Sequence, residues 1–280
     1  MRRIHTKEIS KNIAEMCCQA NFTLGEDIIQ ALTEALKKEE SPVGREVIQQ
    51  LLENAEIASR DQIPLCQDTG FAVVFIELGQ EVLLVGGDLE EAVNQGIREG
   101  YHRCFLRKSI VSDPLIRENT GDNTPAVIHY KIVPGSGCDI TVVPKGGGSE
   151  NMSRIKMLKP AEGERGIIDF VLETVNDAGA NPCPPLVVGV GIGGTFETCA
   201  LFAKKALLRP LQQAHPDRRY AELEQQILRE INCLGIGPQG YGGRITALAV
   251  HVETGPTHIA CLPAAVNLNC HASRHVQRKL

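Results

Sequence analysis

Apolar and polar positions alternate along this chain in two different periods. Ile9, Ile13 and Met16 recur at helical spacing, and the stretches Leu24–Leu36 and Val47–Ile57 repeat the pattern with charges between. Ser41-Pro42 reads as a helix start, with proline in the first turn. Residues 1 to about 60 are therefore predicted as a helical N-terminal part. From Ile63 the period changes. Phe71–Leu78 and Val82–Val85 are strand-like, and Asp88–Glu99 reads as a capped helix. Ala126–Val133 and Asp139–Val143 alternate as strands, with Gly135-Ser136-Gly137 predicted as the turn of a hairpin between them. Further helices are expected over Glu164–Asp177, Thr195–Leu207 and Ala221–Leu234. Leu186–Ile192 reads as a buried strand, and Thr246–Val252 and His258–Leu262 as late strands. No repeat breaks the chain, and Gln212–Arg219 is the nearest thing to a linker. The expectation is a mixed α/β (α+β) fold over residues 1–280 with no clean domain boundary.

Composition narrows the function classes. The chain has 280 residues, 42% of them hydrophobic, enough for a sizeable core. A net charge of −5 and 4% aromatics with no Trp argue against nucleic-acid binding, which needs a basic face or stacking platforms. The N-terminal residues lack a signal-type apolar core, and no apolar run reaches membrane-spanning length, so the cytoplasm is the expected compartment and no membrane partner is expected. Ten cysteines in a reducing compartment are not expected to form a disulfide framework. Metal binding or catalysis is the better reading for some, and burial as small hydrophobes for the rest.

Four segments are too rich in Gly, Pro and polar residues to be plain connections. In Cys66-Gln67-Asp68-Thr69-Gly70 a cysteine and a carboxylate open a strand; an Asp bonded to its own backbone is the plainer alternative. In Lys145-Gly146-Gly147-Gly148-Ser149-Glu150-Asn151, three glycines let amides converge on an anion, but no Gly-Lys-Ser/Thr closes a P-loop. In the third segment, Asn181–Thr195, Cys183 sits among prolines. Gly189, Gly191 and Gly194 then match G-x-G-x-x-G, yet Arg209–Asp217 supplies no second strand ending in an acid. A dinucleotide site is disfavoured, and with it a nicotinamide-dependent dehydrogenase. The fourth segment, Gly255–Arg274, holds His258, Cys261, Cys270 and His271 without the paired spacing of a zinc finger.

Cys66, Cys183 and Cys270 remain, each alone in a Gly/Pro-rich loop, 117 and 87 residues apart. Three thiolates suit an iron–sulfur cubane with one open iron, able to act as a Lewis acid. Spacing alone leaves the other seven cysteines in competition. Cys17 and Cys199 fall within predicted helices, and Cys104 and Cys138 flank strands, so those four read as structural.

The ordered motifs Cys66-Gln-Asp-Thr-Gly, Lys145-Gly-Gly-Gly-Ser-Glu-Asn, Cys183-Pro-Pro, Gly193-Gly-Thr and Cys270-His-Ala-Ser-Arg274 resemble the iron–sulfur hydro-lyases, class I fumarases and L-tartrate dehydratases. The likeness is to the alpha subunit of the two-subunit form. The resemblance implies two lobes of mixed sheets around a 4Fe–4S cluster held by Cys66, Cys183 and Cys270, the last chosen over Cys261 for its Cys-x-Ala-x-Arg pattern. That family usually has Ser and Asp where this chain has His271 and Ser273. It further implies substrate contacts from Gln67, Asp68, Arg107, Gly147 and Gly148, and catalytic roles for Asp68 and His258. The implied substrate is a small 2-hydroxy dicarboxylate, with malate/fumarate preferred to tartrate. A beta subunit carrying the general base is the implied partner, in a hetero-oligomer. A cluster-binding redox or scaffold protein is the alternative of a different class; Asp68, Arg107 and the Gly-rich loop argue against it.

Overall fold

A computed structural model describes residues 2–280. The chain runs through β1 (Arg2–His5), α1 (Thr6–Phe22), α2 (Glu26–Lys38), α3 (Pro42–Asp61), β2 (Phe71–Gly79), β3 (Val82–Val85), α4 (Leu89–Arg103), β4 (Val127–Val133) and β5 (Cys138–Lys145). A single turn, α5 (Gly147–Glu150), follows. Then come β6 (Arg154–Leu158), α6 (Gly163–Ala178), β7 (Leu186–Gly193), α7 (Phe196–Ala206), α8 (Arg218–Asn232), β8 (Ala247–Gly255), β9 (Leu262–Asn269) and β10 (Val276–Lys279). This is the mixed α/β fold that the two periods predict. Among the described residues, no helix is long and apolar enough to cross a membrane.

The elements form two compact units. Among the described residues, unit 1 comprises 2–24, 55–147 and 274–280, and unit 2 comprises 25–54 and 148–273. In unit 1 the sheet order is β10-β5-β2-β4. Its core joins Ile9, Ile13 and Met16 of α1 and Val93 and Ile97 of α4 to Val74, Ile76, Ile140 and Val142 of the sheet. Asp88 caps α4 by accepting the Glu91 N–H at 2.8 Å, and Glu90 and Glu91 add negative charge to the positive end of the helix. α1 and α4 are also joined by a disulfide, Cys18–Cys104, with Cα atoms 5.8 Å apart. Cys104 is structural, as expected, but through a disulfide, which the expectation of free thiols does not include.

In unit 2 the sheet order is β6-β9-β7-β8. β7 is buried along its whole length. Val188, Val190 and Ile192 pack with α6 and α8 through Ile167, Val171, Ile227 and Ile231. The intervening Gly189 and Gly191 face α7: a Cβ at Gly189 would meet the carbonyl oxygen of Ala203, and one at Gly191 that of Cys199. The glycine pattern is thus accounted for by a helix lying directly on a strand.

Two expected elements differ. Ala126–Val133 and Asp139–Val143 do not form a hairpin, because β2 lies between β4 and β5, parallel to the first and antiparallel to the second. Alternation reports a half-buried face but not which strand is the neighbour. The strand expected at His258–Leu262 is displaced to Leu262–Asn269, and His258 stands in the turn before it, where the Ala260 N–H donates to its Nδ1 at 3.2 Å.

Candidate active site

Apart from His258, the expected site residues fall in two groups, one in each unit. In unit 1 the first cysteine loop is anchored by Leu65, whose buried side chain is backed by an N–H bond to Asn21 O at 2.9 Å. Cys66 and Gln67, next in the chain, are exposed. Asp68 is fixed by two amides: the Gly70 N–H donates to Oδ1 at 2.9 Å and the Gly147 N–H to Oδ2 at 2.8 Å. The first is the local Asp turn; the second ties this loop to the Gly-rich loop 79 residues away. The Gly147 amide, implied as a substrate contact, is thereby engaged by Asp68. Gly70 has φ +72°, and a Cβ there would lie 2.6 Å from Lys145 O, so only glycine fits. Thr69 Oγ1 donates to Arg107 O at 3.1 Å, which brings the backbone of Arg107 beside the loop and leaves its side chain exposed.

In unit 2 the second and third cysteine loops adjoin. β7 and β9 pair antiparallel with Val187 opposite Asn269, so Cys183, just before β7, and Cys270, just after β9, lie at the same end of the sheet. His271 N–H donates to Cys183 O at 3.4 Å, and His271 Nδ1 lies 3.2 Å from the same oxygen. Gln239 reaches both loops, with Nε2 2.8 Å from Pro184 O and 3.1 Å from His271 Nδ1. Asn269 Nδ2 donates to Ser273 Oγ at 3.0 Å and closes the Cys270 turn. The two departures at His271 and Ser273 therefore each carry a bond of that turn. Gly148 is near the same place: a Cβ on it would be 3.5 Å from Asn181 O. The rest of the Gly-rich motif is held by Glu150, which accepts from Lys204 Nζ at 2.5 Å and Asn267 Nδ2 at 3.0 Å.

A profile of the fumarate hydratase (Fumerase) family matches residues 10–279. The chain belongs to that family. It is 42% identical over 283 residues to a Methanocaldococcus jannaschii protein provisionally named L(+)-tartrate dehydratase subunit alpha, covering 98% of both chains. It is 33% identical over 271 residues to the L(+)-tartrate dehydratase subunit alpha of Escherichia coli strain UTI89, covering 95% of this chain and 89% of that one. The corresponding protein of Shigella boydii serotype 4 is 32% identical over 270 residues.

For a Fumerase-family chain the question is which thiols could hold a cluster. Burial pushes the thiols of Cys17 and Cys199 up to about 12, so neither offers a thiolate near neutral pH. Burial also raises the Cys138 thiol, and Cys18 and Cys104 are joined to each other. Cys261 and Cys270 stand at opposite ends of the eight-residue β9, roughly 25 Å apart at strand rise. Cys270 is the one beside Cys183. His258, bonded through its carbonyl to the Cys261 N–H at 2.8 Å, shares the far end. Cys233 caps α8, outside the motif loops. Exposed Cys66 and Cys183 and half-buried Cys270, all outside disulfides, are a donor set whose chemistry fits an iron–sulfur cluster. Among the described residues, no three His, Cys, Asp or Glu side chains are already gathered as a metal-holding group.

Sequence reading missed Gln239, Tyr101 and Asn123. Gln239 could have been suspected from the five glycines between Gly235 and Gly243. Tyr101 and Asn123, both fully buried, carry no motif at all.

Proposed function

We propose that this chain is the alpha subunit of an iron–sulfur hydro-lyase that dehydrates a 2-hydroxy dicarboxylate, with L(+)-tartrate as the substrate. The observation that supports it most is the pairing of the Cys183 and Cys270 loops in a Fumerase-family chain. The names of the relatives favour tartrate over the malate/fumarate pair that the family resemblance put first.

Cys66, Cys183 and Cys270 would hold a 4Fe–4S cluster, which when bound supplies a Lewis-acidic iron for the hydroxyl leaving group. The chain's own residues bind and orient. Arg107 presents a guanidinium fork suited to a substrate carboxylate. Gln67 offers an amide donor and acceptor beside it. Asp68, with an amide on each carboxylate oxygen, is fixed in direction and has lone pairs left for the substrate. His258 has no part in this reading, because it lies a strand length from Cys183 and Cys270. The general base is assigned to a beta subunit, in keeping with the relatives' naming as alpha subunits.

The test is to purify the chain anaerobically with and without a beta subunit and measure iron, sulfide, oxaloacetate formed from L-tartrate, and fumarate formed from malate. Cys66→Ser, Cys183→Ser and Cys270→Ser should each lose iron and activity, and Cys17→Ser neither. Full activity of the alpha chain alone would remove the beta-subunit assignment, and turnover of malate but not tartrate would overturn the choice of substrate.

A further inference from the structure

Three successive carbonyls of the first cysteine loop are held by three buried polar side chains, all within unit 1. Arg274 Nη2 donates to Asp68 O at 2.6 Å. Tyr101 Oη lies 2.8 Å from Thr69 O and 3.0 Å from Gly70 O. Asn123 Nδ2 donates to Gly70 O at 3.2 Å, while its own Oδ1 accepts from Ser109 N–H at 2.7 Å. Arg274 is 4% exposed, and its Nε and Nη1 are buried without a hydrogen-bond partner. A guanidinium with three of its five N–H donors unmet is an expensive way to satisfy one carbonyl, which a neutral amide could do with less desolvation. What an arginine adds is a short charge-assisted bond from a rigid plane.

We propose that Arg274 is a positioning residue whose guanidinium sets the Asp68–Thr69 peptide plane and so fixes the direction in which Gln67 and Asp68 are presented. The inference rests on the reading of that loop as part of the substrate site. Because the Asp68 carboxylate is itself bonded to Gly70 and Gly147, a rotated peptide plane also disturbs the Gly-rich loop.

The experiment compares wild type, Arg274→Gln and Arg274→Lys, as full chain with the beta subunit, by amide hydrogen exchange and by kinetics. In Arg274→Gln, exchange over residues 65–72 should rise roughly 10- to 100-fold while α6 and β7 stay at wild type. kcat should fall by a similar factor with KM near wild type, since Arg107 still binds the carboxylate and only alignment is lost. Arg274→Lys, which keeps the charge but not the plane, should recover part of both. Unchanged exchange over 65–72 in Arg274→Gln overturns the proposal, and so does a rise in every peptide together with a lowered Tm. Should Arg274→Gln not fold, a well-folded Arg274→Lys with wild-type kcat overturns it equally. A wild-type complex that dehydrates none of the substrates sinks the functional reading instead, and the exchange comparison still decides on Arg274.

Discussion

Glu39 closes the junction between α2 and α3 in unit 2, and its removal should cost more than the loss of an exposed carboxylate. The side chain is 2% exposed. Oε1 accepts from the amides of Glu40, Ser41 and Arg244 at 2.9, 2.8 and 3.0 Å, and Oε2 from Ile245 at 2.7 Å. Glu39→Ala strips all four. The amides of Glu40, Ser41 and exposed Arg244 can turn to water, but Ile245 is buried and its amide cannot. At about 1.5–3 kcal/mol for a bond to a charged acceptor, the one amide that cannot rehydrate predicts a loss of about 1.5–3 kcal/mol. That is a fall of roughly 5 °C in Tm for a unit of this size. Burial pushes the Glu39 carboxyl up, but the four amides together outweigh it and hold its pKa below the usual carboxylate value. Its contribution is therefore complete above the unfolded-state pKa of about 4.3 and is lost as pH falls through the lower folded value. Thermal unfolding by circular dichroism, wild type against Glu39→Ala and Glu39→Gln, checks both points. The gap between wild type and Glu39→Gln should narrow below about pH 4. A Glu39→Ala protein within about 1 kcal/mol of wild type at neutral pH refutes the reasoning.

Gly191→Ala would press a methyl group onto the Cys199 carbonyl and the Ala203 amide of α7, so we expect about 2–4 kcal/mol of destabilisation or insoluble protein; a near-wild-type Tm would mean that α7 does not lie on β7 as described. Iodoacetamide at pH 7.5, read by mass spectrometry on cluster-free protein, should label Cys66 and Cys183 well before Cys17 and Cys199; early labelling of Cys17 would contradict its burial. Asp68→Asn turns one carboxylate oxygen into a donor that faces an amide, and hydrogen exchange at Gly70 or Gly147 should rise, with kcat down about 10²-fold. Unchanged exchange at both amides would show that the Asp68 carboxylate does not anchor either loop.

Much of the fold was legible from periodicity because burial imposes it: α1, α4, α6 and β7 lie where their apolar patterns place them. The neighbour relations were not. β2 between β4 and β5 is set by sheet topology, to which a strand's own alternation is blind. The cysteine loops were legible because glycine and proline mark irregular backbone, and the family resemblance ordered them. What escaped were residues that act through one polar atom at long range. Tyr101 looks like core in sequence, and nothing near Asn123 announces that it holds a carbonyl 53 residues away.

The division of unit 1 into three stretches of sequence has a consequence for biosynthesis. Arg274 and β10, which pairs with β5, belong to unit 1, yet the ribosome must make all of residues 148–273 before either is available. At roughly 5–20 residues per second this takes on the order of ten seconds. During that interval one edge of β5 is unpaired and the Asp68 carbonyl has no guanidinium. Unit 2, by contrast, is fully synthesised by residue 273. A nascent chain therefore holds a complete unit 2 before its first cysteine loop can be locked. A ribosome that stalls in α8 would release a protein with the Cys66 motif intact in sequence and unset in structure.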